Sequence, residues 1–238
     1  METAKQRTEL LLGNHALQRL SETSIMVVGV GGVGSYCAEG LARCGVGTIH
    51  LVDKDLISPS NLNRQIHARY ETIGKDKCEM MKQRILSYQK DCQVITHSLF
   101  YDGSQNEELF HEPIDFVVDA IDTISAKLEL IRYCLTHDIP FISSMGMANR
   151  LDPTKILITD LMKTTYDPLA KMMRSQVRKQ NIKGKIPVVF SIEQPIKQNQ
   201  MVDVLGKTRK DRTPPASSPF VPSAAGLAAA SYAVRYLC

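Results

Sequence analysis

VVGVGGVGSY, residues 27–36, is the stretch whose reading decides the fold. It follows a short apolar run and opens into a helical pattern. Gly29, Gly31 and Gly34 match G-x-G-x-x-G, with an extra glycine at Gly32. Gly29 permits a tight turn, and Gly31 and Gly32 let backbone N–H groups come close to a phosphate. Gly34 lets the helix pack on the strand. The start of the helix adds a partial positive charge. The flanking pattern predicts strands over 24–29 and 48–53 and a helix over 33–44. That is a strand–turn–helix–strand unit of about 30 residues, the setting this fingerprint requires.

Outward from this unit, strands are expected over 92–99, 114–122 and 139–144. Helices are expected over 75–89 and 125–136, where apolar residues recur at helical spacing. Strand and helix alternate through the first 145 residues, which predicts an α/β fold. Its architecture is a doubly wound, Rossmann-like, mostly parallel sheet with helices on both faces. A helix or two short helical turns over 9–20 precede it. After residue 150 the rhythm changes. Strands over 155–161 and 186–193 extend the sheet, and 167–180 forms a helix. Residues 205–222, with four prolines, read as a loop. The whole chain, 1–238, is expected to be one domain. About 1–150 would form its nucleotide-binding half and about 151–238 a substrate-side extension.

Composition agrees with a parallel sheet. Of 238 residues, 43% are hydrophobic and only 6% aromatic, with no Trp, so the core must rest on Val, Ile, Leu and Ala. The formal charge of +4 is too small to establish a polyanionic partner, and its placement matters more. METAKQRTEL lacks the apolar centre of a secretory signal, and no run of about 20 apolar residues exists. A cytoplasmic, non-membrane protein is expected, with SAAGLAAASYAV (223–234) as a buried terminal helix. The six cysteines, at 37, 44, 78, 92, 134 and 238, include no C-x-x-C, which argues against a paired zinc site and for reduced thiols. Cys37 and Cys44 read as small buried hydrophobes.

Asp53 ends the second strand, 19 residues after Gly34, where an acid typically accepts from a ribose hydroxyl. Asp55 either shares that role or caps the next turn. Asn61 and Arg64 in NLNRQ (61–65) and Lys77 in GKDKCE (74–79) add donors and two positive charges. A nicotinamide dinucleotide has two phosphates that amides and a helix dipole largely satisfy. A triphosphate with a leaving pyrophosphate calls for cationic side chains, so ATP is preferred. Lys75 reads as a solvated lysine at a helix start. DAID (119–122) lies at the C-terminal end of the fourth strand, where ligands of open α/β sheets bind. Asp122 is the candidate Mg²⁺ ligand, since Mg²⁺ favours a few carboxylates plus phosphate oxygens. Asp119 is expected to cap the helix over 125–136.

On the segment from Gly29 to Ile85, the chain resembles the adenylating superfamily that includes ThiF, MoeB, HesA and the ubiquitin-activating enzymes. These convert a carboxylate into an acyl-adenylate with ATP and Mg²⁺. The resemblance implies that Gly29, Gly31, Gly32, Gly34 and Asn61 belong to the ATP site. It makes Asp53 a ribose ligand, Arg64 and Lys77 phosphate contacts, and Asp122 the metal ligand. It also implies a homodimer in which Arg7, in RTELLLG, completes the partner's site. The alternative for Arg7 is an ordinary exposed arginine. The stretches NRQIHA, DPTKILITDLMKTTYDPLAKMMR, VVFSIE and FVPSAAGLAAA resemble one branch, the tRNA threonylcarbamoyladenosine dehydratases. That likeness implies activation of a nucleoside carboxylate, closure to a cyclic hydantoin form, and an associated monovalent cation, K⁺ or Na⁺.

In that setting the basic run from Lys163 to Lys185, with Lys171, Arg174, Arg178, Lys179 and Lys183, is a candidate tRNA surface, and Tyr166 a candidate for stacking on a base. The alternative is a solvated basic helix face. His67 either orients substrate or is structural, and Ser191 and Glu193 are candidates to face the cleft. Some relatives are linked to sulfur-transfer proteins, but the chain has no Cys between 134 and 238 to carry a persulfide. Three other functions fit the sequence less well. Adenylation of a sulfur-carrier protein's C-terminus lacks its zinc cysteines here. An NAD-dependent oxidoreductase would not need Arg64, Lys77 and Asp122. A non-catalytic nucleotide sensor would not need the metal and phosphate residues together.

Overall fold

The structure is a computed structural model that describes residues 3–199 and 214–238. Two helices, α1 (Gln6–Leu12) and α2 (Asn14–Glu22), precede the sheet and meet at Gly13. The sheet then builds through β1 (Ser24–Val28), α3 (Gly34–Cys44), β2 (Thr48–Val52), α4 (Lys77–Leu86) and β3 (Gln93–His97). It continues through α5 (Asn106–Leu109), β4 (Phe116–Asp119), α6 (Ile124–Thr136) and β5 (Phe141–Ser144). β6 (Ile156–Asp160), α7 (Pro168–Lys179), β7 (Pro187–Ser191) and α8 (Phe220–Leu237) complete it.

The seven strands lie in the order β3-β2-β1-β4-β5-β7-β6, and all pair in parallel except β6 with β7. The expected doubly wound sheet is therefore present, extended by two strands from the second half of the chain. Its strands are apolar runs because both faces are covered. Leu20 of α2, the inner faces of α3 and α4, and α8 pack on one side. Leu109 of α5 and the inner faces of α6 and α7 pack on the other. Of the expected 205–222 loop, residues 214–219 lie before α8 in neither helix nor strand. Residues 205–213 lie outside the described residues, and 220–222 are already the first turn of α8. Proline is compatible with a first helical turn, where the N–H lacks an intrahelical partner. Among the described residues no helix is long and apolar enough to cross a membrane.

Strand order reverses between β1 and β4, which opens a crevice at their C-terminal ends. Register aligns Val28 with Val52 and Asp119, and Asp119 with Ser143, so the next residues of four strands reach one edge together. The glycine turn fits there because nothing larger would. Gly29 has φ +92°, and a Cβ on Gly34 would lie 1.8 Å from the Gly29 carbonyl oxygen. Gly34→Ala must therefore displace backbone, at a cost of about 1–3 kcal/mol or more. Urea unfolding should show that loss, and a wild-type midpoint would mean that the close approach does not exist.

Candidate active site

The crevice is a cavity of about 840 Å³. Gly29, Gly31 and Gly32 of the turn, Asp53 and Asp55 after β2, and Asn61, Arg64 and Lys77 all line it. So do Ala120 to Thr123 after β4 and Ser144 to Arg150 after β5. The turn, the acid, both cations and Asp122 are thus gathered in one place from residues spread over 94 positions of sequence.

Asp53 braces the turn. One carboxylate oxygen accepts from the Val30 N–H (2.8 Å) and the other from the Asp55 N–H (2.9 Å). Burial pushes its carboxyl up from the usual range, opposed by Lys77 and the two amides. Lys77 is 5% exposed, and its Nζ lies 2.7 Å from Asp55 Oδ2 and 3.9 Å from Asp53 Oδ1. Asp55 is therefore the immediate partner of Lys77. Arg64 is half-buried, which draws its pKa down, and its Nη1 donates to the Ser60 and Asn63 oxygens at 2.9 and 3.0 Å. Lys77 is thus a buried, ion-paired cation and Arg64 a half-buried one, both beside the turn. The Asn61 side-chain Oδ1 accepts from the Ser58 N–H and so fixes the loop that presents Arg64. Asp122 is exposed to the cavity, and among the described residues its one hydrogen bond is a 3.4 Å contact from the neighbouring Thr123 hydroxyl. Lys75, as expected, is a solvated lysine.

Asp119 does not cap the following helix. It is buried, and its Oδ2 accepts from Lys127 Nζ (2.7 Å) and Ser143 Oγ (2.6 Å), while Oδ1 accepts from the Ile121 N–H (3.1 Å). Lys127 also donates to the Ser144 carbonyl at 2.9 Å. This buried knot joins the ends of β4 and β5 beneath the cavity and sets the turn that carries Asp122. Sequence reading missed Lys127, although it falls in the apolar stripe Ile124, Leu128, Ile131 and Leu135 of α6, and that position was the available signal. It also missed the start of α8. Cβ atoms on Gly32 and Gly40 would meet the Pro222 and Ala230 side chains at 3.2 and 3.1 Å. α8 thus runs parallel to α3, and both helices begin at the cavity edge.

These residues match a known family. The sequence matches the ThiF family over residues 4–237. It is 45% identical to the tRNA threonylcarbamoyladenosine dehydratase of Bacillus subtilis (strain 168) over 97% of this chain and 93% of that one. The Escherichia coli (strain K12) protein of the same name is 40% identical over 78% and 72% of the two chains. The chain belongs to the ThiF family, in its tRNA threonylcarbamoyladenosine dehydratase branch. The E. coli dehydratase TcdA, solved in complex with ATP, is 35% identical and superposes with a TM-score of 0.86 over 98% of this chain and 94% of that one. E. coli MccB shares the fold at 18% identity, with a TM-score of 0.68.

Four other candidate residues of this ThiF-family chain stand elsewhere. His67 is buried, does not line the cavity, and has no partner on either ring nitrogen among the described residues. Burial draws its pKa down to about 4, so it is a neutral core residue. Ser191 is buried, and Glu193 caps the Leu151 and Asp152 amides, so neither faces the cleft. Arg7 is exposed on α1 and does not line this cavity. The cysteines are all free. Cys37 is fully buried as expected, with its thiol pushed up, whereas Cys44 is half-buried.

Proposed function

We propose that this protein is an ATP-dependent tRNA N6-threonylcarbamoyladenosine dehydratase. The observation that carries the proposal is one cavity that brings together a glycine turn, the cations Arg64 and Lys77, and the exposed Asp122 carboxylate. ATP would place its ribose on Asp53 and its phosphates against the Gly29–Gly34 turn, Asn61, Arg64 and Lys77. Asp122 suits Mg²⁺, which takes one or two carboxylates together with phosphate oxygens. Among the described residues no group of three or more His, Cys, Asp or Glu gathers to cage a metal without such oxygens. A bound Mg²⁺ would neutralise phosphate charge. The carbonyls of Gly146, Ala148, Tyr166 and Glu193 already receive the Arg150 guanidinium, so they are not a vacant cage for K⁺ or Na⁺.

The substrate carboxylate has no good leaving group. Its oxygen attacks the α-phosphorus of ATP, and pyrophosphate departs. Arg64 and Lys77 balance the charge that builds on the leaving group. A ureido nitrogen of the same nucleoside then attacks the acyl carbon, loses its proton, and expels AMP as the hydantoin ring closes. Well-oriented intramolecular attack reaches effective molarities of about 10⁵–10⁸ M, so no cysteine nucleophile is needed.

Residues of about 1–150 would hold the nucleotide, and about 151–238 would form the substrate side. Lys163, Lys171, Arg178, Lys179, Lys183 and Lys185 are exposed and suit tRNA phosphates, whereas Arg174 is tied to Thr164. Arg7 would serve a second copy of the chain in a homodimer, a role its exposed position supports. The free thiols suit the cytoplasm. Incubation with Mg-ATP and threonylcarbamoyl-modified tRNA should yield AMP and a nucleoside lighter by one water on mass spectrometry. An unchanged nucleoside mass would overturn the function.

A further inference from the structure

Among the described residues, four other than glycine have positive φ: Asp138, Asn149, Tyr166 and Asn181. Asn and Asp visit the left-handed region with little penalty, but a bulky side chain there is an outlier. Tyr166, with φ 52°, is thus the unexplained case. Such strain persists only where the surroundings over-determine it.

The surroundings do so here. On one side, Thr164 is buried, and its carbonyl accepts from Arg174 Nη1 at 3.1 Å. On the other, Asp167 is buried, caps α7 through the Ala170 N–H (2.8 Å), and lies 3.5 Å from Arg150 Nη2. The Tyr166 carbonyl itself accepts from Arg150 Nη2 at 3.3 Å. The backbone is clamped from both directions, while the Tyr166 side chain is left out of the core at 60% exposure. Burial of the ring therefore does not explain why a tyrosine occupies this strained position.

Place and charge point to what the ring meets. Arg150, Pro168 and Leu169 line the active-site cavity; Tyr166 itself does not line it, but it precedes Pro168 by two residues and its carbonyl is held by Arg150. Exposed Lys163 and Lys171 flank it in sequence, and further exposed cations follow along α7. An aromatic platform among cations beside a nucleoside pocket is how proteins hold unstacked RNA bases.

We infer that Tyr166 is a stacking platform for a base flanking the modified adenosine, held ready by the Arg150–Asp167 and Arg174–Thr164 clamps. The inference rests on the tRNA function proposed above. Two variants separate stacking from structure. Tyr166→Asn suits the left-handed backbone, and Tyr166→Phe keeps the ring. Tyr166→Asn should raise KM for modified tRNA about 5- to 100-fold. It should leave KM for ATP unchanged and Tm at or above that of the unaltered protein, because the strain is relieved. Tyr166→Phe should stay within about twofold on every measure. A tRNA KM for Tyr166→Asn equal to that of the unaltered protein would overturn the inference, as would equal losses in both variants. A fall in Tm matching the loss of activity would do the same. If the unaltered protein fails to dehydrate the tRNA, the function itself fails, which the nucleoside mass assay reports independently of either variant.

Discussion

Lys127→Met is expected to cost about 3–5 kcal/mol of folding stability, because it strands Asp119 as an uncompensated buried charge. For a domain of this size that is a fall in Tm of roughly 6–20 °C. Lys127 is fully buried, and burial draws its ammonium below the ordinary lysine pKa while Asp119 opposes that shift. The pair survives because its hydrogen bonds are filled: Nζ reaches Asp119, Ser143 and the Ser144 carbonyl, and Asp119 takes the Ile121 amide as well. Replacing both partners with apolar residues is often neutral for a buried pair. The double variant Lys127→Met/Asp119→Leu should therefore regain much of the stability. It should not regain turnover, since the Ile121 amide and the Ser144 carbonyl lose the partners that shape the Asp122 turn and the loop after β5. Thermal melts and AMP release on the single and double variants separate the two effects. A single variant that melts with the unaltered protein would show that the knot carries no stability.

How much of this was legible in sequence depends on where the constraint lies. The glycine turn was legible because close backbone approach excludes every other residue, and Gly29 and Gly34 state that exclusion directly. The alternation of strands and helices was legible because parallel strands buried on both faces must be apolar throughout. Asp53, Arg64, Lys77 and Asp122 follow strand ends or motifs with fixed spacing, and all four reach the cavity. Most of the failures share a cause: a polar residue's partner is not encoded near it. Asp119 looked like a cap for the next helix because its true partner lies one step inside that helix, on its buried face. Glu193 looked like a cleft residue, but it serves the amides of residues some 40 positions earlier. Arg150 gave no signal at all, yet it ties the loop after β5 to the start of α7. The start of α8 was hidden by prolines that read as loop but are tolerated in a first helical turn.

Lys77→Ala is expected to lower kcat/KM for ATP about 100- to 1,000-fold, the usual consequence of removing one preorganised partner for developing charge. A competing account must be separated from this one. Lys77 sits 2.7 Å from Asp55, so its removal also frees that carboxylate beside Asp53. If Lys77 merely anchors Asp55, then Asp55→Asn should lose as much activity as Lys77→Ala. If Lys77 serves the phosphates, Asp55→Asn removes only its resting partner, and activity should stay within a few-fold of the unaltered protein. The ligand series makes the same distinction at the other end. AMP lacks the outer phosphates, so its affinity should change little in Lys77→Ala, whereas ATP affinity should fall. Arg64→Ala should show the same preference for AMP over ATP, because Arg64 also flanks the turn and is held there by Ser60 and Asn63. Since both cations face one polyanion, their losses should not add in the double variant. Titration of both nucleotides into the three variants measures this directly. Equal weakening of AMP and ATP would place Lys77 at the ribose end, on Asp53, and would remove the charge-based reason for preferring a triphosphate over a pyridine dinucleotide at this turn.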